Sequence, residues 1–351
     1  EIYVKLAAFA NYGFPESHSV SFAYLVYASA WFKYHHPAAF CAGLLNAQPM
    51  GFYSPHSLVA DATRHGVEVH TPCINASEAG ASLEPSPSGV GVDADAGGVR
   101  QGVRRPDDPR TWGRSGPAVR LGIGSVRGIG DDLATQIAAG RPYASMEDVA
   151  RRNPQLTLPL LEALATAGAF STLTPPGEGH RRREDIWAAG AVAQGGVDRL
   201  EGIVTGERSP ALPGMDERET SHADLWATGI APHGHPTRFV RGELDRLGVV
   251  PAADLAARNH QSRVLVGGVV THRQRPATAG GTTFLSVEDE TGLVNVVVSK
   301  GCWVRHRRLV QTAPALLIRG RLETAEGVTN VVAETISLLP LTATVRSRDF
   351  R

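Results

Sequence analysis

Lysine is nearly missing from this chain: of 35 basic residues, only Lys5, Lys33 and Lys300 are lysines. None of the three opens a Lys-x-Asp-Gly motif, which removes the lysine nucleophile of an NAD-dependent DNA ligase. Alanine and glycine are abundant, so the arginine preference follows genome composition and is no argument for a nucleic-acid ligand. Cysteine is scarce too. Cys41, Cys73 and Cys302 lie far apart with no CxxC pair and no matching histidine spacing, which argues against a zinc site or disulfide framework and fits a reducing cytoplasm. No apolar run approaches the roughly 20 residues needed to span a bilayer. The sequence opens at Glu1 inside what reads as an amphipathic helix, without a signal peptide, and is expected to be a piece whose beginning is missing.

What is present is a chain of 351 residues, 42% hydrophobic and 20% charged, long enough for two or three domains with real cores. Its formal net charge is +0, yet the charge is unevenly placed. Residues 1–97 carry 3 basic and 8 acidic groups and residues 176–260 carry 10 and 13, whereas 98–175 carry 10 and 7 and 261–351 carry 12 and 7. A phosphate-binding surface needs positive charge, and these last two regions have it.

The most informative stretch is residues 120–140, RLGIGSVRGIGDDLATQIAAG. Val126-Arg127-Gly128-Ile129-Gly130 running into an amphipathic helix has the form of the second half of a helix-hairpin-helix, which holds DNA by its backbone and reads no sequence. The glycines permit a tight turn with positive φ. The first amides of the helix then point outward, where a phosphate oxygen is their natural partner. The plainer reading is a glycine-rich turn before an ordinary helix with Asp131 as its cap. Further on, Leu158, Leu161, Leu164 and Ala165 share a helical face before Gly168-Ala169-Phe170, where a second hairpin glycine pair would fall. Residues 119–173 are therefore expected to form a tandem helix-hairpin-helix domain.

The rest divides around it. Residues 1–75 read as helices, with Pro37 and Pro55 at helix starts and a short strand over 66–70. Residues 76–118, rich in Gly, Pro, Ser and Asp, read as a variable insertion. Its Asp93-Ala94-Asp95 lacks a strand to hold two carboxylates rigidly, so no metal site is expected there. Residues 174–260 read as a helical connector. Residues 261–340 alternate as five strands with a helix after the third, the order of an OB barrel, and 341–351 form a tail. The fold class expected is thus multidomain α+β. On the barrel, Leu316, Ile318 and Leu322 should face the core with Arg319 and Arg321 outside, and Leu285 and Val287 inside with Phe284 outside. An outward aromatic beside arginines suits base stacking with backbone contacts. A phenyl packed under a loop, with arginines merely at the surface, fits the same pattern.

The order YGFPESHS, Phe32-Lys33, His35-His36-Pro37, Leu44-Leu45-Asn46, Ile74-Asn75-Ala76-Ser77, the Gly-Ile-Gly hairpin, Gly168-Ala169-Phe170 and then an OB barrel resembles the C-terminal third of the bacterial C-family DNA polymerases, relatives of the polymerase III alpha subunit. THRQRPATAGGTTFLSVEDETGLVNVVV and the terminal SRDFR are similar to the error-prone, damage-tolerant branch. The resemblance implies that residues 1–75 end a fingers domain, with Ser17, His18 and Lys33 on its nucleotide and template side. It implies that Arg127, Gly128, Ile129 and Gly130 hold duplex, and that Arg273, Arg275, Phe284, Arg319 and Arg321 bind DNA on a module near single-stranded template. The function implied is translesion synthesis and damage-induced mutagenesis, with primer-template DNA, single-stranded template and accessory lesion-bypass proteins as partners. The family's metal-binding palm carboxylates would lie upstream of residue 1. No catalytic or metal-ligating residue is assigned here, Mg2+ is expected only for the full-length polymerase, and the piece alone is expected to be inactive. Gln155-Leu156-Thr157-Leu158-Pro159-Leu160 looks superficially like a sliding-clamp peptide, but direct clamp contact is not expected. The rival reading is a non-enzymatic DNA-binding repair scaffold built from the same two modules.

Overall fold

The computed structural model describes residues 2–3, 16–51, 53–86, 108–114, 116–173, 182–194, 209–325, 328–341 and 348–350. Helix α1 (Glu16–His35) gives way to α2 (Pro37–Asn46) at a proline that presets the first helical φ and removes an amide the helix would leave unpaired. Helix α3 (Pro55–Arg64) also starts on proline, and the Ser54 hydroxyl before it accepts from the Ser57 N–H at 3.1 Å.

Three short strands follow, β1 (Val69–His70), β2 (Ser82–Glu84) and β3 (Ala118–Arg120), in the sheet order β1-β3-β2. This corrects the expected 76–118 insertion. Residues 76–86 and 108–114 are built into the fold: β2 pairs with β3, and the Ser77 hydroxyl accepts from the Cys73 N–H and donates to the Leu121 carbonyl. Polar composition concealed a strand of three residues with no buried apolar position. Asp93 and Asp95 lie outside the described residues.

The hairpin unit comprises α4 (Asp131–Ala139), α5 (Met146–Arg152) and α6 (Leu158–Thr166) around a core that includes Ile123, Ile137, Leu161, Leu164 and Phe170. The helical pair separated by a tight turn is α5–α6, joined by 153–157, so Gly168-Ala169-Phe170 is not a second hairpin glycine pair. Gly168, at φ +75°, ends α6 instead, and Phe170 fills the core, a burial that contributes about 2 kcal/mol or more. Leu156 is buried in that turn and Leu160 packs beneath Gly128, which commits two residues of the clamp-like segment to the fold. Helices α7 (Arg182–Val192) and α8 (Glu217–Thr228) complete this layer. Arg182 meets Asp224 at 2.6 Å; burial still pushes the Asp224 carboxyl up to about 6. Helix α8 begins in a capping box of Asp216 with Glu219 and ends on Gly229 at φ +72°. Helix α9 (Arg241–Arg246) then leads to the barrel.

The barrel strands are β4 (Arg263–Gln274), β5 (Thr283–Asp289), β6 (Gly292–Val298), β7 (Ala315–Ala325) and β8 (Val328–Leu338), with α10 (Lys300–Thr312) after the third. The order β5-β6-β8-β7-β4 closes through β4–β5 pairing, and β9 (Arg348–Phe350) from the expected tail adds in parallel to β4. Inward Val266, Leu285, Val287, Leu316, Ile318 and Leu322 form the core, as the period-two pattern requires. The end of β5 and the turn after it bolt the barrel to the other layers. Glu288 accepts from Arg64 at 2.9 Å and from Ser57, while Glu290 accepts from Arg241 at 2.9 Å and from the Thr237 hydroxyl at 2.6 Å. Beside this junction the buried rings of His56 and His235 stack 5.8 Å apart.

Candidate nucleic-acid interface

The hairpin turn is closed by the Ile129 N–H donating to the Val126 carbonyl at 3.0 Å, and both of these side chains are buried. Gly128, third in the turn, has φ +84°, and a Cβ there would lie 2.8 Å from Leu160 Cδ2. Its glycine is thus required by the turn and by the packing. Gly130 differs. It is the N-cap of α4 at φ −83°, no side chain caps it, and nothing lies within 4 Å of where its Cβ would be. Asp131, expected as a cap, is instead the first helical residue, followed by Asp132. The result is an open helix start whose first amides have no intrahelical acceptor, the geometry that receives a phosphate. Ile129 serves this only through its backbone, since its side chain is an anchor in the core.

Arg127 is exposed, and its guanidinium lies 5.2 Å from the centre of the Trp226 ring, while its backbone N–H donates to the Ala227 carbonyl at 2.7 Å. Trp226, 50% exposed, thus stands beside the hairpin. Sequence reasoning missed it because it arrives from α8, about a hundred residues downstream, and only folding brings the two together.

On the barrel the expected residues separate. Arg273 does not face outward: it is buried, its Nε donates to the Val310 carbonyl at 2.7 Å, and a further guanidinium N–H reaches the Ala313 carbonyl. It fastens the end of α10 to β4, a correction that follows from the β4 bulge between Val270 and His272 shifting the alternation. Arg275 is exposed and stacks 3.8 Å from the Trp303 ring centre. Phe284 is 39% exposed and lies opposite Gln274. Arg319 and Arg321 are exposed as the alternation predicts, but they sit opposite Leu265 and Arg263, at the far end of β4. From Leu265 to Gln274 is about 30 Å of strand, so these arginines do not share a patch with Phe284. Arg321 and Arg263 both reach Glu334, at 3.7 and 3.3 Å. Also missed were Lys300, Arg305, Arg307 and Arg308, all exposed on α10. The signal for them was the segment KGCWVRHRRLVQ, which contains no acidic residue.

In α1, the side chains of Ser17 and His18 lie outside the described residues. Lys33 pairs with Asp61 at 2.8 Å and lines a cleft of about 510 Å³ with Cys41, Tyr53, His65 and Leu293. Burial pushes the Cys41 thiol up to about 12, which makes it an inert core group. Among the described residues no three or more His, Cys, Asp or Glu side chains are grouped to hold a metal ion. Among the same residues no helix is long and apolar enough to cross a membrane.

Comparison with known proteins matches residues 66–184 to the helix-hairpin-helix motif family and residues 264–339 to the OB-fold nucleic acid binding domain family. Over its full length the chain is 52% identical to an error-prone DNA polymerase of Mycobacterium bovis, 54% to one of Nocardia farcinica and 44% to one of Corynebacterium glutamicum. It covers 29%, 28% and 30% of those proteins, about three-tenths of their length.

Proposed function

We propose, from the premise that the chain belongs to the error-prone DNA polymerase family, that it supplies the duplex- and template-binding part of a DNA-directed DNA polymerase that copies damaged templates. The observation that carries this is similarity along the whole chain, at 52–54% identity, to proteins of that name. It is supported by the helix-hairpin-helix and OB matches and by the open start of α4.

In this reading the chain corresponds to the C-terminal portion of the polymerase. Gly128 to Gly130 and the first amides of α4 hold duplex by its phosphates, and Arg127 adds a charge at the same place. Arg275 and Phe284 meet single-stranded template on the barrel, by charge and by stacking. Ser17, His18 and Lys33 belong to the fingers surface on the nucleotide side. The chain binds and orients, and the carboxylates and Mg2+ needed for phosphoryl transfer would come from the remaining seven-tenths of the polymerase. Recruitment goes through accessory lesion-bypass proteins without a direct clamp contact. The scaffold alternative is set aside because the relatives matched along the whole chain are named polymerases.

The test is a chimera in which this chain replaces the matching portion of the Nocardia farcinica relative. With Mg2+ the chimera extends a primer across an abasic template site, and the 351-residue chain alone binds the same primed DNA without extending it. A folded chimera that neither binds nor extends primed DNA would overturn the proposal.

A further inference from the structure

Among the described residues the ion pairs leave the cations of α10 without a carboxylate, as they do Arg127 and Arg319. Arg64, Arg120, Arg141, Arg182 and Arg241 each hold a carboxylate, and Arg263 and Arg321 share one. On α10, Lys300, Arg305, Arg307 and Arg308 are exposed, and among the described residues none of them pairs with a carboxylate. Arg275, from the loop after β4, likewise has none.

Three of these cations are drawn together by the loop after β4. The guanidinium groups of Arg275 and Arg307 lie 3.8 and 5.1 Å from the centre of the Trp303 ring. Two like charges gathered on one indole repel each other, and an anion between them relieves that repulsion. At the start of the helix, Gly281 of the same loop closes on Lys300, whose side chain would be 3.4 Å from a Cβ built there. Phe284 pairs with Val297, two residues before Ser299 caps α10, so the exposed phenyl adjoins this end of the helix. The helix runs over 13 residues with a kink at His306 (φ −115°, ψ 20°), so Lys300 and Arg305 stand before the kink and Arg307 and Arg308 after it.

We propose that single-stranded DNA crosses the barrel from Phe284 past Arg275 and along α10, its phosphates held by Lys300, Arg305, Arg307 and Arg308, and does not run over the arginines of β7. This rests on the reading that the barrel binds single-stranded template; it names the track and the residues. Trp303 is buried and positions Arg275 and Arg307, and the stacking platform is Phe284.

The test measures binding of the 351-residue chain to a thymidylate oligonucleotide of roughly 16 nucleotides by fluorescence anisotropy at several salt concentrations. In the variant R305Q/R307Q/R308Q the slope of log affinity against log salt falls by about two. R305K/R307K/R308K keeps the slope, and R319Q/R321Q leaves it as in the unaltered chain. If the unaltered chain binds and the glutamine triple keeps its slope, the α10 track is wrong while barrel binding stands. If the unaltered chain does not bind at low salt, the underlying reading fails and the track with it.

Discussion

Within the segment from Arg127 to Asp132 the one side-chain cation is Arg127, and the helix begins with two aspartates. On the barrel, four cations occupy one helix and a fifth leans onto it from a loop. Under the proposed function these are two ways of holding the same polymer. The hairpin offers backbone amides, whose position is fixed by a turn; the barrel offers long side chains, whose charge is fixed and whose position is adjustable. Amides suit a regular duplex that slides past in one geometry. Arginines suit a flexible single strand. Contacts of the first kind should fail when shape changes, and contacts of the second kind when charge or salt changes.

The largest expected effect separates the two regions by stability. Phe170→Ala empties the hairpin core and should cost about 3 to 5 kcal/mol in urea unfolding. Amide exchange should rise first in residues 119–173, while the β4–β8 core stays protected; a uniform rise would mean that the regions do not open separately. Next is the junction that joins them. Burial and the Arg64 charge lower His56 from 6.5 to about 4, and the stacked His235 is also held neutral. As pH falls, the unfolded chain takes up this proton first, so the contribution of His56 to stability is lost from about pH 6.5 down to 4 and levels off below. For His56 the full loss is about 3 kcal/mol. Urea midpoints at pH 7 and 4.5 should converge in His56→Asn relative to the unaltered chain, though not completely, because His235 remains.

A smaller effect sharpens the difference between the two hairpin glycines. Gly128→Val meets both a left-handed backbone and Leu160, and should lower stability by roughly 2 kcal/mol in thermal unfolding. A neutral result would mean the turn can adopt another conformation. Smallest is Arg321→Gln, which breaks an exposed pair with Glu334; the expected stability change is below about 1 kcal/mol. DNA affinity should be unchanged within error.

The barrel was legible because alternation over strands such as RVLVGGVVTHRQ and PALLIRGRLE leaves few other ways to bury the valines and leucines. The hairpin was legible because only glycine fits its turn. What escaped was whatever depends on distant segments meeting. Arg273 follows a bulge that no local pattern announces, and its partners are carbonyls at the end of a helix some 40 residues away. Trp226 reaches the hairpin from α8, and Glu288 finds Arg64 from 224 residues away. The polar stretch around β2 hid a strand because a surface strand beside Arg120 can be satisfied by Glu84, and charge reads as loop.

The most direct measurement uses Gly130→Leu, whose added side chain enters open space before α4 and leaves the turn intact. Anisotropy titrations with a labelled primer-template should show affinity at least tenfold weaker than in the unaltered chain, equally for unrelated sequences, with a melting temperature within a few degrees. A folded Gly130→Leu chain that binds primed DNA as tightly as the unaltered one would contradict the claim that this hairpin holds duplex by its backbone.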